Sequence, residues 1–299
     1  MNARVEAVPH VSRPKVVDIS VLTKPGIMVM VLVVASAGYW LASAGQVNGQ
    51  ILGWLLAGTA LMSGGAAALN MWLEREPDAL MRRTENRPLP AGRLSPITAA
   101  GVGFSMVVTG AAVLSFLVNP LTAGLGVLSA GVYLFAYTPL KKISSTNTLV
   151  GAVTGAMPPV MGWAAARGSI GIEAAVLFLV LFFWQMPHFL AIAWMYREDY
   201  ERAGFRMLVV GDVDGMSTAH QVIVQTSALV LASVAPVVVG MAGAGYLAAA
   251  LALGAGFLIL GIRFALGRTR GRARVLFFGS IVYLPALLGA LLLGATYGG

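Results

Sequence analysis

The sequence predicts an all-α, polytopic membrane protein: nine transmembrane helices, with two four-helix halves around a central cavity plus a ninth helix. Three observations carry this expectation. Of the 299 residues 58% are hydrophobic and only 11% charged, with a mean hydropathy of +0.81, whereas soluble domains carry about 25% charged residues. Nine apolar stretches, each near the ~20 residues a bilayer span needs, occupy 26–45, 50–72, 96–117, 121–139, 147–166, 171–194, 219–240, 244–263 and 276–296. Finally, 19 of the 20 Lys and Arg residues fall in alternate gaps between those stretches.

The gaps justify the spans in order. Ahead of the first stretch stand Arg4, Arg13, Lys15 and Lys24, with no apolar run or cleavage site in residues 1–20, so no secretory signal is expected. The gaps at 46–49, 118–120 and 241–243 hold no charge, and the gap at 167–170 holds only Arg167, with Glu173 just beyond. Their alternates are basic. Segment 73–95 carries Arg75, Arg82, Arg83, Arg87 and Arg93; 140–146 carries Lys141 and Lys142; 197–218 carries Arg197, Arg202 and Arg206; 263–275 carries Arg263, Arg268, Arg270, Arg272 and Arg274. The positive-inside rule then places the N-terminal tail (1–20) in the cytoplasm and the C-terminus outside a cell membrane. Spanning helices use up the length, so residues 1–299 read as a single domain.

Charge and composition exclude other classes. The net charge of +8 flanks apolar spans, which fits retention at a membrane surface and not nucleic-acid binding. Cysteine is absent, which removes disulfides, thiolate metal sites and a cysteine nucleophile. Eleven of the twelve Asp and Glu residues share the basic side and concentrate in 73–95 and 197–218. Those segments follow spans two and six, a four-helix repeat, which is the basis for two halves. The 36 glycines and runs such as Ser63-Gly64-Gly65-Ala66-Ala67-Ala68 suit close helix contact in lipid.

Chemistry gathers at the same loops. Asn70, Glu74 and Asp78 recur at i, i+4 and i+8, setting three oxygen side chains on one helical stripe at the membrane boundary. A hard cation such as Mg2+ uses few carboxylates and completes its octahedron with water and phosphate oxygens. A solvated helix end salt-bridged to Arg75 and Arg82 is the plainer alternative. Pro77 disfavours helix at Glu76, which predicts a broken or restarted turn at Asp78. Downstream, Pro88, Pro90 and Gly92 form a rigid loop, and five arginines from 75 to 93 offer forks matched to phosphate oxygens. Asp199 follows span six much as Asp78 follows span two. His188, in Trp184-Gln185-Met186-Pro187-His188-Phe189, lies inside an apolar span. Haem contact, proton transfer and water placement are its candidate functions. Its structural alternative is a bond to a carbonyl freed by Pro187. Lys141, ending Tyr137-Thr138-Pro139-Leu140-Lys141-Lys142, is either a snorkelling anchor or a diphosphate contact. His10 and His220 have no distinctive context.

These segments resemble the UbiA-type membrane prenyltransferases. The similarity runs from Leu22-Thr23-Lys24-Pro25 to the last span and rests on Asn70 to Arg93, Tyr137 to Lys142, Asn147 to Gly162 and Trp184 to Gly204. The string from Arg83 to Arg93 is shared with quinone and chlorophyll branches in looser form. The string from Trp184 to Phe189 points to the branch that farnesylates protohaem IX. The resemblance implies Mg2+ held by Asn70, Glu74, Asp78 and Asp199, with Lys24, Arg82, Arg83, Arg87, Arg93, Tyr137 and Lys141 around the diphosphate of farnesyl diphosphate. It implies haem b as acceptor, with His188 contacting haem or placing water. Hand-off to a haem A synthase or a terminal oxidase would follow. Three positions depart from the family pattern: Glu74 replaces the usual Asp, Gly26 replaces a common Arg, and Met195 leaves Asp199 without an acid four residues earlier. A quinone- or chlorophyll-precursor prenyltransferase is the nearest alternative. A nine-span transporter is more distant, because charged side chains are absent deep inside the spans.

Overall fold

Helix starts are written into the sequence. Pro25, Pro96 and Pro120 stand at the first helical position of three spans, where the missing N–H costs nothing. Asn48, Ser95, Asn119 and Thr269 each accept a hydrogen bond from a backbone N–H of the following first turn, satisfying donors that the helix itself leaves unpaired.

A computed structural model of the protein describes residues 15–296. Arg4, His10, Arg13 and most of the expected cytoplasmic tail lie outside the described residues. Among the described residues nine helices are long and apolar enough to cross a membrane. A short α1 (Lys15–Leu22) precedes the first span, α2 (Pro25–Ala42). The next are α3 (Gly49–Leu73), a short α4 (Arg75–Leu80), α5 (Pro96–Leu117) and α6 (Pro120–Leu140). The second half comprises α7 (Asn147–Arg167), α8 (Ile172–Met195), the short α9 (Arg197–Arg202) and α10 (Leu208–Gly211), α11 (Met216–Val238) and α12 (Ala244–Gly267). The chain closes with α13 (Arg270–Leu293).

Two local departures from regular winding follow from proline. Residues 132–137 of α6 are wound as a π-helix, just before Pro139, which has no N–H to continue an i→i−4 ladder. In α7 the winding breaks at Ala156, ahead of Pro158 and Pro159. The last span starts at Arg270, six residues before the expected 276. Thr269 caps it, and arginine is a good helix former that can reach the interface. Arg270, Arg272 and Arg274 are therefore helical and not part of a loop.

Small residues set the closest contacts. A Cβ built on Gly65 of α3 would lie 2.6 Å from the Gly103 carbonyl of α5, and one on Gly110 would lie 2.8 Å from the Gly58 carbonyl. The small-residue run in α3 thus divides its duties: Gly65 packs on α5, while Ser63, Ala66 and Ala67 face the interior cavity. In the second half α8, α11, α12 and α13 share the largest apolar core, around Leu229, Phe264, Leu276 and Leu287. The last helix also reaches α2, where Leu284 and Leu288 join Val34 and Ala37. The two halves do not share the cavity evenly. Its walls come from α2, α3, α6, α7 and α8, with α5, α11, α12 and α13 packed outside.

Candidate active site

The cavity measures about 390 Å³ and has two chemically distinct ends. At the end carrying the basic loops it is walled by Lys24, Asn70, Glu74, Asp78, Arg83, Arg87, Tyr133, Tyr137, Lys141 and Tyr200. Away from that end the lining turns apolar, with Met28, Val31, Met62, Ala66, Met161 and Gly126.

Asn70, Glu74 and Asp78 keep their common stripe through a local break. Helix α3 ends at Leu73 and α4 begins at Arg75, so the interruption falls at Glu74 and not at Pro77. Pro77 sits in the first turn of α4, where its ring is tolerated. The backbone bonds Glu74 N to Asn70 O (2.9 Å) and Asp78 N to Glu74 O (2.8 Å) preserve the spacing across the break.

Each of the three meets a cation. Lys24 Nζ donates to Asn70 Oδ1 at 3.1 Å, and the same oxygen accepts from Tyr133 OH at 3.2 Å, while Asn70 Nδ2 donates to Thr138 Oγ1 at 3.0 Å. Lys141 Nζ lies 2.6 Å from Glu74 Oε1, and Arg87 Nη1 lies 2.6 Å from Asp78 Oδ2. Both carboxylates are buried, where an unpaired charge would be costly. Lys141 also stands 4.6 Å from the centre of the Tyr137 ring. Burial opposes its charge, but Tyr137 and the Glu74 carboxylate outweigh that and hold its pKa above the usual lysine range. Lys24 is shifted the other way: burial, with Arg87 and Lys141 nearby, pushes its ammonium down to about 7 despite Glu74 and Asp78.

The remaining sequence-predicted residues are placed differently. Arg83 reaches the cavity, donating to Tyr200 OH at 3.3 Å and lying over the Tyr196 and Tyr200 rings. Arg82 does not line the cavity; its side chain is exposed, and only its backbone N–H takes part, donating to Asp199 Oδ1 at 3.3 Å. Arg93 is also outside, held at 3.0 Å by the buried Asp18 of α1. Asp199 is buried but ion-paired with Arg202 and does not line the cavity. His188 turns toward α13 and bonds Ser280 Oγ through Nδ1 at 2.7 Å. Sequence reasoning missed Tyr133, Thr138 and Gln185. Tyr133 stands one helical turn before Tyr137, and that spacing was a readable signal.

Among the described residues no three His, Asp or Glu side chains are grouped to hold a metal ion. The donor set at the cavity is two carboxylates and an amide, Glu74, Asp78 and Asn70. That set fits Mg2+, which takes one or two protein carboxylates and fills its octahedron with waters and phosphate oxygens.

A helical bundle with an apolar cavity ending in oxygen ligands and basic side chains suits a greasy substrate with an anionic head. Fold and site define a polytopic membrane protein with a cavity for such a substrate. The model of the UbiA prenyltransferase family matches residues 31–284, and the chain belongs to that family. It is 46% identical over 281 residues to the "Protoheme IX farnesyltransferase" of Solibacter usitatus (strain Ellin6076), covering 91% of this chain and 96% of that one. The protein of the same name from Salinibacter ruber (strain DSM 13855 / M31) is 45% identical over 275 residues, covering 92% and 97%. Among solved structures, a digeranylgeranylglyceryl phosphate synthase superposes with a TM-score of 0.79 at 15% identity, covering 94% of this chain and 98% of that one. A UbiA homolog from Archaeoglobus fulgidus bound to GPP and Mg2+ superposes with a TM-score of 0.63 at 12% identity, covering 92% and 99%. At those identities the likeness establishes the fold.

Proposed function

We propose that the protein transfers a farnesyl group from farnesyl diphosphate to a vinyl group of haem b, with addition of water, giving haem O and diphosphate. The carrying observation is the cavity itself: a largely apolar chamber whose one charged end gathers Lys24, Arg87 and Lys141 around Asn70, Glu74 and Asp78. The acceptor is inferred from the relatives named for farnesyl transfer to protohaem IX, at 41–46% identity over nearly the whole chain.

In this reading Lys24, Arg83, Arg87 and Lys141 bind the diphosphate oxygens and offset the charge that grows on them as the allylic C–O bond breaks. Tyr133 and Tyr137 shape that end and hold Asn70 and Lys141 in position. The bond's electron pair leaves with diphosphate. The apolar wall excludes water from the allylic cation, the vinyl group attacks it, and the cation formed beside the porphyrin takes up water and releases a proton. Asn70, Glu74 and Asp78 are the residues that would hold Mg2+, which supplies further neutralisation of the leaving diphosphate. Asp199 ties α9 to the loop after α4 through Arg202 and the Arg82 N–H. The basic loops face the cytoplasm by the positive-inside rule, in a cell membrane.

The test is incubation of purified protein in detergent with haem b, farnesyl diphosphate and Mg2+, with pigments read by mass spectrometry. A haem heavier by farnesyl plus water, lost with EDTA or in Asp78→Ala, supports the reading. Prenylation of 4-hydroxybenzoate in place of haem would discard the acceptor and keep the donor site.

A further inference from the structure

The wall of the cavity is not uniformly apolar beyond its charged end. Ser129 of α6, Thr154 and Gly155 of α7 and Gln185 of α8 all line it, and they meet at one turn of α7. Pro158 and Pro159 lack the N–H groups that would bond the Thr154 and Gly155 carbonyls, and side chains from the two neighbouring helices gather there instead. Ser129 Oγ donates to the Thr154 carbonyl at 3.3 Å, and Thr154 Oγ1 donates to the Gly151 carbonyl at 2.8 Å. Gln185 is buried against the same turn, its Nε2 donating to the Ala152 carbonyl at 2.8 Å. A carbonyl can only accept, so this bond fixes which end of the amide is nitrogen. Oε1 then lies over Gly155, where a Cβ would collide with it.

These side chains offer the cavity acceptors alone. The single hydroxyl protons of Ser129 and Thr154 are committed to backbone carbonyls, and no donor among the described residues reaches Gln185 Oε1. Three neutral oxygens without a donor suit a small molecule that brings O–H groups, and a buried water needs roughly two to four polar partners. A water held here gives its protons to the wall and keeps a lone pair free. The turn also lies close to the charged end: Ser129 stands one helical turn, about 6 Å, from Tyr133, whose hydroxyl bonds Asn70. His188, three residues after Gln185, turns instead to Ser280 and does not line the cavity.

We infer that this turn holds the water that adds to the cation beside the porphyrin, with Gln185 Oε1 as its anchor. The inference rests on the haem-acceptor reading above. A lone pair of the held water forms the C–O bond to the cation, one of its O–H bonds breaks, and that proton passes to the diphosphate released in the first step. Without the held water the same cation loses a proton from its neighbouring CH2 and closes to an alkene. The water site therefore decides which product leaves.

The test separates the haem products of wild type, Gln185→Met, Gln185→Glu and Gly155→Ala by chromatography and reads them by mass spectrometry at equal diphosphate release. The ratio of the hydrated product to the alkene, lighter by one water, does not depend on how much of a variant is folded. Gln185→Met should lower that ratio roughly five- to tenfold, the worth of one hydrogen bond. Gly155→Ala should lower it in the same direction, because the added methyl displaces Oε1. Gln185→Glu, neutral where no cation pairs with it, keeps a donor for Ala152 and an acceptor for water, and should stay within about twofold of wild type. An unchanged ratio in Gln185→Met would overturn the inference, as would equal loss of both products in Gln185→Met and Gly155→Ala. Wild type that yields no prenylated haem but prenylates another acceptor would instead remove the reading on which the inference rests.

Discussion

Lys141 Nζ lies 2.6 Å from Glu74 Oε1, so the end of the fourth span is charge-coupled to the end of the second across the mouth of the cavity. Both side chains are buried, and removing one partner strands the other without water. Glu74→Ala should therefore destabilise the protein by roughly 3–5 kcal/mol as well as lowering turnover. Glu74→Met combined with Lys141→Met should recover most of that stability while turnover stays lost. Thermal unfolding in detergent across the double-mutant cycle checks this; fully additive losses would contradict the coupling.

The arginines of segment 75–93 should separate into two kinds. Arg87 and Arg83 line the cavity, and each charge-assisted bond to a diphosphate is worth roughly 1.5–3 kcal/mol. Arg87→Ala should raise KM for prenyl diphosphate by about 10- to 100-fold, and Arg83→Ala should raise it in the same direction. Arg82→Ala should stay within about twofold, because only its backbone is engaged. Arg93→Ala should leave KM unchanged and lower the melting temperature, since Arg93 is held by buried Asp18. Steady-state kinetics and melting curves on the same four variants decide the matter.

This division shows what the sequence carries and what it omits. Span number, span order and the Asn70–Glu74–Asp78 stripe were legible because apolar length, helix period and proline are local properties. Whether an arginine faces the cavity depends on which loop folds under which. Arg83 and Arg93 stand in one continuous motif, yet one meets Tyr200 and the other Asp18, partners 117 and 75 residues away. Asp199 shows the same limit: its place after span six matched that of Asp78, but its partners, Arg202 and the Arg82 N–H, are set by how the loops after α4 and α8 meet. The orientation of His188 toward α13 rested on Ser280, 92 residues downstream, which no local pattern marks.

The apolar end of the cavity should set donor length. Gly126 of α6 lines it, and a Cβ added there would come within 2.9 Å of Met62 Sδ and 3.1 Å of Met161 Cε. Those flexible ends would yield into the space meant for the last isoprene unit. Gly126→Val should lower the kcat/KM ratio of farnesyl to geranyl diphosphate by at least about tenfold. Met161→Ala should shift preference toward longer donors. Competition assays with mixed donors read the ratio directly, and equal loss for both donors would mean damage to the fold and not a shortened floor.

Asp212 couples the loop after α10 to the start of α11. Its Oδ1 accepts from Ser217 N at 3.2 Å and its Oδ2 from Thr218 N at 2.7 Å, capping the helix from outside its first turn. Partial burial works against its charge, but the bonds from Thr218 and Ser217 prevail and hold its carboxyl below the ordinary value of 3.8. A folded-state pKa below the unfolded one adds stability at pH values above the unfolded pKa, and that stability drains away as pH falls through the folded one. Asp212→Ala should cost about 1 kcal/mol at neutral pH. The gap in melting temperature between wild type and variant should hold from pH 8 to about 5 and narrow below about 4. A gap that stays constant into strong acid would mean that Asp212 acts through packing and not as an ionised cap.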